Sequence, residues 1–243
     1  MNYKLLPLIL LLLFSFKPIE LNEDTKSTPK NTDPKLLALS KKMSLESKCK
    51  MIYSSIEIAN LNLPNFDVFL AAFQGYEQLL QQGKIENEIL TIVDFSLSSK
   101  MERLWVINMK TQQVLLKTLV AHGKNSGLEF ASNFSNEKES FKSSLGFFST
   151  AEVYQGKHGT SLRLDGLEYG VNDNARERAV VIHGADYVSK KLANAQGYIG
   201  RSLGCPAVSL EISKHLIETI KDKSCFFIYH PSRKSSRKTN LVS

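Results

Sequence analysis

Apolar residues recur at the spacing of a helix over residues 44–83, and in short runs typical of strands from residue 88 onward. Leu45, Cys49, Ile52, Ile56 and Ala59 fall four, three, four and three residues apart, on one face of a helix that Ser44 can open. Phe66, Phe69, Leu70, Phe73 and Leu80 form a second stripe, with Asn65 as its cap and Gly83 as its stop. Such stripes need a surface to pack against, so residues 36–87 are expected as a helical pair docked on a larger body. β-prone runs follow at Glu88–Phe95, Arg103–Met109, Gln113–Ala121, Gly146–Tyr154 and Ser161–Leu164, separated by turns rich in Ser, Gly, Asn and Lys. Ala179–Ile182 is a further apolar run. Ser209 can cap a helix reaching about Lys221, with Ile212, Leu216, Ile217 and Ile220 inward, and Cys225–Tyr229 makes a last buried strand. Residues 88–231 therefore read as one mixed, β-rich domain with peripheral helices. No long βαβ repeat, glycine-rich phosphate loop or internal repeat is visible.

The ends of the chain carry a different signal. Met1-Asn2-Tyr3-Lys4 and the apolar run Leu5 to Phe16 have the charged start and short apolar core of a secretory signal. The run is shorter than the roughly 20 residues that span a bilayer, and no small-x-small cleavage site follows Ser15-Phe16-Lys17-Pro18. Residues 1–17 are expected as a signal peptide or an uncleaved anchor, which implies export to the periplasm or cell envelope. Residues 18–35, polar and Pro-containing, are expected as a flexible linker. At 243 residues, 42% of them hydrophobic, the chain can bury one good core. Its net charge of +7 includes Arg233, Lys234, Arg237 and Lys238 in a Ser-rich stretch, so residues 232–243 are expected as a disordered basic tail. Such a tail suits weak contact with anionic wall polymers or a membrane surface, and an exported chain has no nucleic acid to meet.

Candidate chemistry concentrates between Ala179 and Val208. The apolar run Ala179–Ile182 delivers His183 and Gly184 at its end, where a side chain can face a cleft. Gly204-Cys205-Pro206 holds a thiol between a residue that permits close backbone approach and one that fixes the chain's exit. Cys49 on its helical stripe and Cys225 within Cys-Phe-Phe-Ile-Tyr are simplest as core residues, leaving Cys205 as the odd thiol. A histidine elsewhere in the chain is the expected partner of such a thiol. His215, within the last helix, and His230 suit surface or packing roles. His122 and His158, both on turns, are candidates for the cleft wall. Tyr187 to Gly200, with few apolar residues, is expected as a mobile cover over the cleft.

His183, Gly184, Ser202, Gly204 and Cys205 together resemble the signature of the YkuD-type L,D-transpeptidases. The likeness is closer still to the murein L,D-transpeptidase subgroup with a GRSxGCPA motif, here Gly200 to Ala207. It extends over Val120 to Gly127, Phe134-Ser135-Asn136, Ser143 to Phe148, Gly156 to Gly159 and Ile182 to Ala185. Leu203 stands where many members have histidine, and Pro206-Ala207 replaces the usual apolar residue and Arg or Asn.

This resemblance implies an L,D-transpeptidase-like catalytic domain that takes peptidoglycan stem tetrapeptides, with a neighbouring stem or a protein amine as acceptor. Cys205 would carry the acyl group and His183 would activate it, oriented by the Gly184 carbonyl. The backbone N–H groups of Gly204 and Cys205 would hold the oxyanion. Ser202 and Arg201 would shape the cleft, Arg201 serving either as a carboxylate partner or as a surface cation. An imidazolium lowering the thiol pKa from about 8.5 would raise the thiolate fraction by up to about 30-fold, roughly 2 kcal/mol. Enzymes remove about 8 kcal/mol or more, so positioning and oxyanion donors must supply most of the rest. Neither cofactor nor metal is required. Water as acceptor would make the enzyme an L,D-carboxypeptidase, and a wall-binding module without catalysis is a further alternative. A zinc hydrolase built from His122, His158, His183 and Cys205 lacks any HExxH or CxxC spacing.

Overall fold

Asn65 starts a helix because its side-chain oxygen accepts from the Asp67 N–H at 2.9 Å, satisfying one of the first unpaired donors. Helix α2 (Phe66–Gln81) follows, and Gly83, at φ +66°, turns the chain away from it. Its buried face carries Phe69, Phe73, Tyr76 and Leu79, with the Phe69 and Phe73 rings stacked at 6.2 Å. Helix α1 (Pro34–Ser55) begins well before Ser44, which therefore lies inside it rather than at its start. Pro34 suits the first turn, having no N–H to leave unpaired. From α1, Cys49 is buried against the α2 cluster, and Tyr53 meets Phe66 and Phe69 edge-on at 5.3 and 5.2 Å.

This computed structural model describes residues 34–56 and 63–235, with side chains described for residues 45–56 and 63–233. The expected signal or anchor, most of the linker, Ala59 and residues 236–243 of the basic tail lie outside the described residues. The chain divides into two compact units, Met1–Ser40 and Lys41–Ser243. Of the first, only the backbone of the opening turns of α1 is described. The second holds every described strand and the candidate chemistry. No described helix is long and apolar enough to cross a membrane.

Eight strands form one sheet: β1 (Asn87–Asp94), β2 (Leu104–Asn108), β3 (Gln113–Thr118), β4 (Gly146–Gly156), β5 (Gly159–Gly166), β6 (Val181–Ala185), β7 (Ala207–Ser209) and β8 (Ser224–Tyr229). Their order is β3-β2-β1-β8-β4-β5-β6-β7. β8 runs parallel to β1 and antiparallel to β4, and β6 and β7 are parallel. Beyond β3 the Ala121 N–H donates to the Ala207 carbonyl at 2.8 Å, so the two ends of the sheet meet and nearly close a barrel.

Side chains alternate between two cores, as the period of a strand requires. Phe226 and Ile228 of β8, with Leu104 and Val106 of β2, join Leu216, Ile217 and Ile220 of helix α4 (Leu210–Ile220) in the interior. Cys225, Phe227 and Tyr229, with Trp105 and Ile107, face α1 and α2. β8 is buried on both faces, which is why it reads as an unbroken apolar run. Cys49 and Cys225 are both buried free thiols, as their positions in the apolar pattern suggest.

The strand before the site is displaced from its expected bounds. Ala179 has φ +53°, outside the extended region, so β6 starts at Val181 and continues through His183 and Gly184 to Ala185. His183 is thus mid-strand and buried. The basic tail also differs from expectation at Arg233, in a 3-10 turn over Pro231–Ser235. Its guanidinium lies 5.3 and 5.2 Å from the Phe147 and Phe227 rings and is 2.7 Å from Glu168, a buried carboxylate.

Candidate active site

Between Gly200 and Ala207 the chain makes a turn latched by one serine. Ser202 Oγ donates to the Cys205 carbonyl at 2.6 Å and accepts from the Gly204 N–H at 3.0 Å. Its backbone is fixed as well, the N–H to the His122 carbonyl at 3.0 Å and the carbonyl to the Lys124 N–H at 2.8 Å. Gly204 sits at φ +127°, and a Cβ there would stand 3.0 Å from the Lys142 carbonyl oxygen. Only glycine fits both conditions. The Gly204 carbonyl accepts from Ser143 Oγ at 3.1 Å, which binds the turn to the segment before β4.

Ser202, expected to shape the cleft, instead latches the turn and takes up the Gly204 N–H. That N–H is not an oxyanion donor in this arrangement, contrary to the sequence expectation. The Cys205 N–H has no acceptor among the described residues and remains available.

Register places the thiol. His183 of β6 pairs with Ala207 of β7, which sets Cys205 level with Val181. Sγ accepts from the Val181 N–H at 3.5 Å and donates to the Ala179 carbonyl at 3.6 Å. Among the described residues no hydrogen bond joins it to His183. Burial pushes the Cys205 thiol up, while the Val181 N–H, Arg178 and Lys157 pull it back.

His183 Nδ1 donates to the Gly184 carbonyl at 3.0 Å, which leaves the lone pair on Nε2. Burial lowers its pKa, against the Gly184 carbonyl, which raises it, and so favours the neutral ring. Both net shifts favour a thiol and an imidazole over a thiolate and an imidazolium. His158, exposed on the β4–β5 turn, stacks on the His183 ring at 4.4 Å and so joins the site.

His122 does not. It is fully buried, accepting from Arg103 at Nδ1 (2.8 Å) and donating from Nε2 to the Gly127 carbonyl (3.3 Å). Its place on a turn suggested a cleft residue, but the turn folds inward over the buried Arg103. Arg201 is exposed and donates to the Lys124 and Gly127 carbonyls, both at 3.2 Å, so it braces that turn. Among the described residues no group of three or more His, Cys, Asp or Glu side chains could hold a metal ion.

Three residues given no role by the sequence are electrostatically linked to the thiol: Arg178, Lys157 and Tyr187. The charges of Arg178 and Lys157 act on Cys205, and the Tyr187 phenol is pushed up to about 12, first by burial and then by Cys205. The segment expected as a mobile cover holds helix α3 (Lys190–Gln196), capped by Ser189 and Gly197. Val188, Ala193 and Ile199 are buried beneath it, so its Lys- and Asn-rich sequence hides three apolar anchors. A cavity of about 700 Å³ opens at the far end of β6 and β7, lined by Ala185, Asp186, Ser209 and Leu210 among others. Neither Cys205 nor His183 borders it.

The family model described as the L,D-transpeptidase catalytic domain matches residues 61–229. Among solved structures, the chain is similar to an L,D-transpeptidase from Mycobacterium smegmatis at 15% identity and TM-score 0.37, over 59% of each chain. It is similar to the helical cell shape determining protein of Campylobacter jejuni at 11% identity and TM-score 0.41, over 76% of this chain and 56% of that one. An L,D-transpeptidase from Stackebrandtia nassauensis is 11% identical with TM-score 0.36, over 76% of this chain and 90% of that one. The chain thus spans 59% of the length of the Mycobacterium smegmatis protein. No curated protein matches it.

Proposed function

The chain belongs to the L,D-transpeptidase catalytic-domain family, and from that premise we propose that it is a cysteine acyl transferase acting on peptidoglycan stem peptides. The observation that carries the reading is the latched Gly204-Cys205 turn, paired through β7 to the strand that holds His183 in its Nε2-basic form. A neutral thiol with a neutral imidazole calls for general-base activation, and positioned acid–base groups typically contribute 10²- to 10⁴-fold. In the reaction, Sγ swings from the Ala179 carbonyl toward Nε2, gives up its proton there, and attacks the carbonyl carbon of the third, L-configured residue. The oxyanion accepts from the Cys205 N–H. Collapse breaks the C–N bond, Nε2 returns the proton to the departing amine of D-alanine, and a thioester remains on Cys205. An amine of a second stem peptide or of a protein then attacks the thioester and restores the thiol. Water in its place gives an L,D-carboxypeptidase.

Export to the cell envelope belongs to the same proposal, supported by the apolar run Leu5 to Phe16. Contact of residues 236–243 with anionic wall polymers belongs to it as well. Mass spectrometry of the protein incubated with tetrapeptide muropeptides should find an adduct on Cys205 and loss of D-alanine. The product mass separates cross-linking from trimming. Cys205→Ala should abolish adduct and product, and His183→Ala should slow acylation by about 10²-fold or more. Full turnover by Cys205→Ala would end the reading, and a wild-type protein that forms no adduct would point to a binding module. In intact cells, a membrane-impermeant thiol reagent should label Cys205; labelling only after lysis would rule out export.

A further inference from the structure

Arg178 stands against the nucleophile's turn without an anion to answer it. Its Nη2 is 3.5 Å from the point where a Cβ on Gly204 would lie. Each terminal nitrogen offers two N–H donors, and loop groups take all four. Nη1 donates to the Ser135 carbonyl at 2.7 Å and to Ser144 Oγ, and Nη2 to the Lys142 carbonyl at 2.6 Å and Ser140 Oγ at 3.4 Å. No carboxylate pairs with it among the described residues, and it is half-buried. Partial burial of an unpaired cation is costly, and the cost falls when an opposite charge appears nearby. The group beside it able to become an anion is Cys205, whose Sγ is held by the Val181 N–H and the Ala179 carbonyl just after Arg178.

The same four bonds exclude a second role. A guanidinium whose terminal donors are all engaged has no fork to offer a substrate carboxylate. The other charged or titratable groups around Cys205 differ in kind. Lys157 is an exposed cation on the β4–β5 turn, where solvent screens it. Tyr187 is an uncharged phenol held so by burial and by the thiol. His183 is neutral at rest, and becomes a cation only by taking the thiol's own proton.

We propose that Arg178 is a positioning residue of the acyl-transfer site, a fixed cation that holds residues 135–144 against the Gly204-Cys205 turn and stabilises the Cys205 thiolate as it forms. The role rests on the reading of Cys205 as nucleophile, but its test does not require turnover. The full-length protein is alkylated with iodoacetamide across pH, and the rate at Cys205 is read by peptide mass spectrometry. Arg178→Met should raise the midpoint of the alkylation profile by about one pH unit, slow the reaction near pH 7 by about tenfold, and leave the high-pH plateau unchanged. Arg178→Lys, which keeps the charge and loses the fork, should stay close to wild type. Arg178→Gln, which keeps donors for the Lys142 carbonyl without the charge, should shift as Arg178→Met does and serves if Arg178→Met does not fold. An unshifted midpoint in the neutral variants, or equal shifts in Arg178→Lys and Arg178→Met, would overturn the role. An upward shift alongside full turnover by Cys205→Ala would end the proposed function and the catalytic part of this role, leaving only the stabilisation of the Cys205 thiolate.

Discussion

Between Arg103 and the Gly127 carbonyl, His122 has one ring nitrogen accepting and the other donating, an arrangement open only to the neutral Nε2–H tautomer. Burial and the Arg103 charge lower its pKa from 6.5 to about 4. The unfolded chain therefore takes up a proton below about pH 6.5 while the folded chain resists until about pH 4. Stability that is full above pH 6.5 should fall as the pH drops through that window, by on the order of 3 kcal/mol. His183 and His230, also lowered by burial, add to the fall in the same direction. Urea midpoints measured between pH 7 and pH 4.5 should drop accordingly. His122→Gln, whose amide offers one acceptor and one donor, should flatten the slope; an unchanged slope would mean that His122 is not held neutral. None of this was legible in Val120-Ala121-His122-Gly123, because Arg103 is distant in sequence and only the fold joins them. Arg178 was hidden for a similar reason, one of three charges in Arg176-Glu177-Arg178. Cys205 and His183 stood out because glycine and proline beside a thiol are a local signal.

Among the elements, helix α2 was legible from its cap and stripe, since both are local and its spacing repeats over several turns. β7 was not, because Ala207-Val208-Ser209 is too short to show a period and its pairing with β6 lies far off in sequence. The start of α1 was misplaced because Ser44 is as compatible with a helix interior as with a cap when the helix continues upstream. One contact of α2 could not have been read from any pattern. A Cβ at Gly75 would stand 2.0 Å from the tip of the Phe147 ring, so the missing side chain sets how closely the helix lies on the sheet. Replacing Gly75 with alanine should gain about 1 kcal/mol of helix propensity and lose about 1–3 kcal/mol through overpacking. Phe147 has little room to yield, being stacked on Phe227 at 4.2 Å and lying beside Arg233. Gly75→Ala is therefore expected to lower the urea midpoint, whereas a rise would show that the ring can step aside.

On the scale of the whole molecule, the last strand occupies the middle of the sheet. β1, β2 and β3 lie to one side of β8, and β4, β5, β6 and β7 to the other. Among the described residues, backbone bridges near the seam also join the segment after β3 to the far side, where Ala121 meets Ala207 and Gly123 meets Ser202. A chain ending at Lys223 should therefore fail to unfold cooperatively and should form no adduct on Cys205, whereas one ending at Ser235 should unfold cooperatively and form the adduct. Cooperative unfolding of the shorter chain would show that the two sides hold together unaided. Order of synthesis gives this arrangement a further meaning. A chain is made from its N-terminus, so Cys205 emerges before the strand that draws the two halves of its surroundings together. Until Tyr229 has cleared the ribosome, the thiol is present but the strand between the two sides of the sheet is missing. The acyl transfer proposed above is then expected to be silent in the nascent chain and to begin once β8 has joined the sheet.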